Sequence, residues 1–292
     1  MRKRRVCLGA LVLVTALLSA CGDSSAPTAP TDSRPAGQAG PAEQPSSGPA
    51  DVSADRRDVV SESLAYAEVD ERLVYGHFVI PVDMIEPLPA VIMIHDWWGL
   101  NEQMRALCDE LAAQGYIVLG VDLFAGGTAA SAADARQLEI AVVENPDLAA
   151  ENLRQAFDFV SNIAAAPSVA AVGYGFGGSW SLNAAVDLQD RLAAAALYYG
   201  QVSSDRGFLA AIDAPVLGFF AGNDRAVPAD TVAAFRDALA ALEKDHEVIM
   251  FDGVRRGFAD PQSANYDAGL AQDAWGQLLT FLDTNLGAGT AN

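Results

Sequence analysis

Between residues 90 and 251, short uninterrupted apolar runs alternate with longer stretches of helical periodicity, and this alternation constrains the fold more than any other feature. The runs cover 90–94, 116–121, 169–172, 192–199, 215–221 and 247–251. A strand that is apolar on both faces is buried on both, which is the pattern of a parallel sheet. Helices are expected over 102–114, 132–143, 148–163, from the glycine-rich turn at 173–178 to 188, over 230–242, and over 265–286. Strand followed by helix, repeated, predicts an α/β architecture with helices on both faces of a mostly parallel sheet. Upstream, the alternating runs 64–68 and 73–80 flank Asp70-Glu71 and read as an antiparallel hairpin leading into that sheet. Functional side chains are expected beyond the carboxyl ends of the strands.

The first 20 residues stand outside this pattern. Arg2, Lys3, Arg4 and Arg5 precede an almost wholly apolar stretch, Val6 to Leu18, which reads as an export signal. It is shorter than the ~20 residues a membrane span requires. Leu18-Ser19-Ala20-Cys21 resembles a bacterial lipobox. That likeness implies cleavage before Cys21, lipidation of its sulfur, and an extracytoplasmic protein anchored to the cell membrane or outer membrane. Residues 21–58 are Ser, Pro, Ala, Gly and Thr with scattered charge. Such a stretch buries too little apolar surface to offset ordering entropy, and predicts a disordered tether. One folded domain is expected over 59–287, with 288–292 as a tail.

Four of the 18 Lys and Arg lie in the signal segment, which leaves 14 against 38 Asp and Glu, formally −24 for the processed chain. A body so acidic is a poor partner for nucleic acid or anionic lipid surfaces. Cys7 lies in the signal, Cys21 at its end, and Cys108 on a helical face with Met104, Leu111 and Ala112, so no disulfide framework is expected. His77, His95 and His246 lack ligand spacing, and G-x-x-x-x-G-K-[ST] is absent; neither a metal nor another cofactor is expected.

After Val172 the chain runs Gly173-Tyr174-Gly175-Phe176-Gly177-Gly178 into a helix. This is the layout of a nucleophile elbow, the sharp turn that lifts a Ser or Cys above a parallel sheet. Here glycine occupies the central place. That position is held in a strained backbone, often at positive φ, which glycine reaches without a Cβ penalty. Gly175 would relax the turn and remove the nucleophile together. The plainer alternative is a glycine-rich turn of another α/β protein.

Three further loops follow strand ends. They are His95-Asp96-Trp97-Trp98-Gly99-Leu100-Asn101, Ala221-Gly222-Asn223-Asp224-Arg225-Ala226-Val227-Pro228, and the segment from Phe251 to Asp260 with Arg255-Arg256-Gly257-Phe258 inside it. With the elbow, and in this order, they resemble the dienelactone hydrolase family across 63–287. The resemblance implies an α/β-hydrolase fold and hydrolysis of lactone or ester carbonyls. In the family the elbow reads G-Y-C-F-G-G, so the attacking cysteine's place is Gly175. The triad acid falls on Asp224, and the histidine's place, before G-F in the last loop, is Arg256. Asp96 matches a carboxylate that contacts the nucleophile, and the Trp97 and Phe176 amides match the oxyanion hole.

A triad requires a group that becomes nucleophilic by losing a proton and a neighbour that accepts it. Glycine offers no such group, and arginine stays protonated. Ser179, Tyr174, His95 and Cys108 are the conceivable stand-ins, and each has a packing role as its simpler explanation. Asp96, at an ordinary carboxylate pKa, would be a weak base toward water. Arg256 is expected to approach Asp224 as a charge-paired plug. The alternative is an anion site, in which Arg256, with Arg255 or Arg225 and the two amides, grips a small carboxylate in the space left at 175. Trp97, Trp98, Phe176 and Phe258 would wall that space. Three functions follow: a catalytically degenerate binder of a small carboxylate-type ligand or protein partner, an ester or lactone hydrolase using a non-standard residue, and a structural envelope scaffold.

Overall fold

The computed structural model describes residues 56–287. The signal segment, Cys21, most of the tether and the 288–292 tail lie outside the described residues. Docking onto the domain starts at Arg56, slightly ahead of the expected boundary: Arg56 pairs with Glu110 at 2.9 Å, and Arg57 N–H donates to Ala113 O at 3.0 Å. No helix among the described residues is long and apolar enough to cross a membrane.

The hairpin comprises β1 (Val59–Val69) and β2 (Arg72–Pro81), longer than its alternating runs. Asp70 and Glu71 turn it with φ of 50° and 60°, the left-handed geometry that matches strand twist in a two-residue loop. Then come β3 (Ala90–Ile94), α1 (Glu102–Ala112), β4 (Ile117–Val121), α2 (Ala132–Val143) and α3 (Pro146–Asp158), which runs into a wider π turn over Phe159–Ile163. The second half holds β5 (Val169–Tyr174), α4 (Phe176–Leu188), β6 (Ala194–Tyr198), the short α5 (Arg206–Leu209), β7 (Val216–Ala221), α6 (Ala229–Ala241), β8 (His246–Phe251) and α7 (Ala268–Leu286). The eight strands form one sheet in the order β1-β2-β4-β3-β5-β6-β7-β8. β1 and β2 are antiparallel to their neighbours and all later pairings are parallel. This is the mixed, mostly parallel sheet of an α/β-hydrolase fold.

Strand alternation splits the core into two layers. Ile92, Ile94 and Ala171 pack with α3, α4 and α6, whereas Val91, Met93 and Val172 pack with α1 and α7. On α7, Ala274, Leu278, Leu282 and Leu286 fall one turn apart and are all buried. Each such leucine contributes roughly 1.5–3 kcal/mol relative to an exposed one. Asn101, the last residue of the tryptophan-bearing loop, caps α1: its side-chain oxygen accepts Met104 N–H at 2.9 Å. The parallel register brings the residues after β3, β5, β7 and β8 to one end of the sheet, where the site lies.

Candidate functional site

β5 ends at Tyr174, and Gly175 turns the chain into α4 with φ 56° and ψ −111°. The turn is pinned on both sides. A Cβ on Gly173 would lie 2.0 Å from Gly177 O, and one on Gly177 would lie 2.2 Å from Ile94 O, so neither position accepts a side chain. The elbow geometry is therefore intact with its apex bare.

Three side chains border the space above that apex. A Cβ at 175 would stand 3.3 Å from Arg256 Nη2 and 4.0 Å from both Asp96 Cβ and Tyr199 Cε2. Arg256 Nη1 donates to Asp224 Oδ2 at 3.2 Å and to the carbonyl of Tyr199, and its guanidinium lies 5.4 Å from the Tyr199 ring centre. Asp224 is 8% exposed, and its other oxygen accepts Ala226 N–H at 2.7 Å. Arg256 thus sits over the apex, tied to Asp224. The guanidinium therefore borders the space that a side chain at 175 would enter, and narrows the room expected there.

Asp96 flanks the apex. Its Oδ1 accepts Trp98 N–H at 2.8 Å and its backbone oxygen accepts Gly99 N–H at 3.2 Å, a tight turn that fixes the carboxylate. Burial first, and the Asp260 charge next, raise its pKa to about 6, against the opposing effects of the Trp98 bond and Arg256. The expectation of an ordinary pKa at Asp96 is corrected: half-burial beside a second acid shifts it to where a carboxylate can accept a proton near neutrality. Glu139 on α2 is also raised, chiefly by burial, and feels the Arg256 charge. Asp224 bonds Arg256, Asp96 and Glu139 feel its charge, and Asp260 acts on Asp96.

The other expected residues divide clearly. Trp97 N–H and Phe176 N–H head the two turns that meet at the apex. The Trp97 and Trp98 rings pack tilted by 57°, 4.9 Å between centres, and Trp97 is 37% exposed at the rim. The Phe176 ring does not wall the cleft; it is buried between Phe124 at 5.2 Å and Trp180 at 6.3 Å. Phe258 is fully buried behind Tyr199, 5.5 Å between ring centres, and is likewise no wall. Arg255 and Arg225 are exposed, and neither pairs with an acid among the described residues. The charges acting on Asp96 are those of Asp260 and Arg256, so the expected arginine cluster is not assembled there.

The stand-in groups are all occupied. His95 is fully buried, with Nδ1 2.6 Å from Asp96 O and Nε2 3.1 Å from Leu123 N. This requires a neutral ring protonated on Nδ1, whose lone pair at Nε2 is already used, and burial lowers its pKa. Ser179 Oγ accepts Gln201 N–H at 2.8 Å, Tyr174 stacks on Tyr198 at 4.2 Å, and Cys108 is buried with its thiol pKa pushed up by desolvation. Among the described residues no group of three or more His, Cys, Asp or Glu is placed to hold a metal ion. Tyr199, Glu139 and Asp260 were not legible as site residues. Tyr199 stands at φ 43° just past β6, a strained position whose only sequence cue was its place at a strand's carboxyl end.

The dienelactone hydrolase family profile matches residues 74–286. The chain belongs to the dienelactone hydrolase family. A candidate carboxymethylenebutenolidase of Yersinia pestis is 30% identical over 213 residues, covering 67% of this chain and 78% of that protein. A second, from Escherichia coli K12, is 28% identical and covers 67% and 76%. Among solved structures, the dienelactone hydrolase-like promiscuous phosphotriesterase P91 from metagenomic libraries superposes with a TM-score of 0.72 at 20% identity, covering 78% of this chain and 99% of P91. Esterase 2 of Thermogutta terrifontis gives 0.59 at 18%, covering 80% and 95%. At these identities the structural likeness establishes the fold.

Proposed function

We propose that this member of the dienelactone hydrolase family has given up acyl-enzyme hydrolysis and uses the family cleft to bind a small carbonyl compound. The supporting observation is the Arg256 guanidinium, bonded to Asp224 and 3.3 Å from where a side chain at 175 would begin. Arg256 itself accepts no proton, and Gly175 offers no atom able to form an acyl adduct. Asp224 bonded to Arg256 and Asp96 beside the apex disfavour a free carboxylate ligand and favour a neutral ester or lactone. Such a ligand would accept from Arg256 Nη2 and from the Trp97 and Phe176 amides, over the exposed Trp97 ring. The Leu18–Cys21 segment supports placing the domain outside the cytoplasm on a lipid anchor; loss of the lipid mass from the Cys21→Ser protein tests that part.

Purified protein offered p-nitrophenyl acetate and a dienelactone is expected to show no turnover above buffer and no covalent adduct with a fluorophosphonate. Stoichiometric labelling in the cleft overturns the reading. The raised pKa of Asp96 favours one competitor, activation of water by that carboxylate. Turnover that disappears in Asp96→Asn would put this competitor in place of the binding reading.

A further inference from the structure

Away from the elbow, an apolar cavity of about 350 Å³ opens between the β1–β2 hairpin and α2–α3. Leu73, Tyr75, Phe124, Leu138, Val142 and Leu148 line it. None of the lining residues is Gly175, Asp96, Asp224 or Arg256, so this cavity is distinct from the site at the elbow. The volume falls at the lower end of the ~300–1,000 Å³ typical of small-molecule pockets.

Its polar groups indicate what it would admit. At the floor, Asn152 Oδ1 accepts the Tyr66 hydroxyl at 2.6 Å, and Asn152 Nδ2 donates to Asp122 O at 2.9 Å. The Asp122 carboxylate accepts the amides of Phe124, at 2.8 Å, and Gly126. The floor is therefore satisfied internally and asks nothing of a ligand. Asp70 and Arg72 lie at the lining with opposite charges, so no single sign is selected. Leu73 and Tyr75, 58% and 53% exposed, keep the lining apolar out to solvent. A carboxylate or phosphate would find no dedicated cradle here, whereas an alkyl chain would cover exposed apolar surface at every methylene.

We propose that this cavity is a second ligand site, for an uncharged aliphatic molecule such as a medium-chain alcohol or ester, recognised by chain length rather than head group. It is independent of the reading of the cleft. The probe is n-decanol, titrated calorimetrically into the full protein with n-butanol as control. Saturable decanol binding is expected, at least about tenfold tighter than butanol. Ala141 lines the cavity from an exposed position on α2, so Ala141→Trp fills it with little demand on folding. That variant is expected to keep its thermal midpoint and lose decanol affinity about tenfold or more, and Leu73→Gln to weaken it to a smaller extent. Arg256→Ala is expected to leave decanol affinity unchanged. Equal affinity in A141W and the parent, equal affinity for butanol and decanol, or loss of binding in R256A would each overturn the proposal.

Discussion

At the scale of single residues, the site turns on Gly175 and Arg256 as a pair. Changing one alone is unproductive: the Cβ of a cysteine at 175 would stand 3.3 Å from Arg256 Nη2, with no histidine to take and return the proton, and a histidine at 256 would have no thiol to deprotonate. Gly175→Cys combined with Arg256→His is expected to yield measurable p-nitrophenyl acetate hydrolysis while each single variant stays at background. A folded, inert double variant would argue against the assignment of these positions. Gly175→Ala should cost about 1–3 kcal/mol in urea unfolding, because φ of 56° is uncomfortable for any residue with a Cβ. Asp96 makes a pH prediction. Its pKa rises from 3.8 to about 6 on folding, so the folded protein retains a proton that the unfolded chain releases in this window. Stability from this group is therefore highest below the unfolded value, falls as pH rises through the window, and is level above it. Asp96→Asn keeps an acceptor for Trp98 N–H and should remove that slope, with a gain approaching about 2 kcal/mol at neutral pH. A stability difference between variant and parent that does not change with pH would contradict the shift.

At the scale of elements, the strands were legible because burial on both faces demands uninterrupted apolar runs, and β3 falls where its run does. α5 was not: four residues, Arg206–Leu209, are too short for helical periodicity to register. The π turn at Phe159–Ile163 was read as plain helix, since widening one turn leaves the composition unchanged. Asn101 stands out as part of the tryptophan loop, yet its visible work is capping α1. Asn101→Ala should lower stability by about 1 kcal/mol and Asn101→Asp by much less, measured by urea denaturation. Equal losses in both variants would show that the cap bond is not the source.

At the scale of the whole molecule, the sequence carried the elbow, Asp224, Asp96 and Arg256, whose motifs are local. It did not carry Tyr199, which reaches the apex through sheet order, nor the charge that Asp260 exerts on Asp96, nor the burial of the Phe176 and Phe258 rings. Net charge acts at this scale too. With 38 acidic against 18 basic residues, mutual repulsion opposes compaction. Raising ionic strength from 0.01 to 0.15 M shortens the screening length from ~30 to ~8 Å and should lift the thermal midpoint by a few degrees; a falling midpoint would assign more weight to the surface ion pairs.

The described chain enters beside the carboxyl end of α1, where Arg57 bonds Ala113, and leaves where the Leu286 carbonyl accepts the Ser168 hydroxyl, just ahead of β5. Both points lie at the amino ends of the parallel strands, away from Gly175. A bead, dye or fusion partner joined directly at position 56 or 287 therefore approaches from the rear, leaving the face around Gly175 open to whatever flows past.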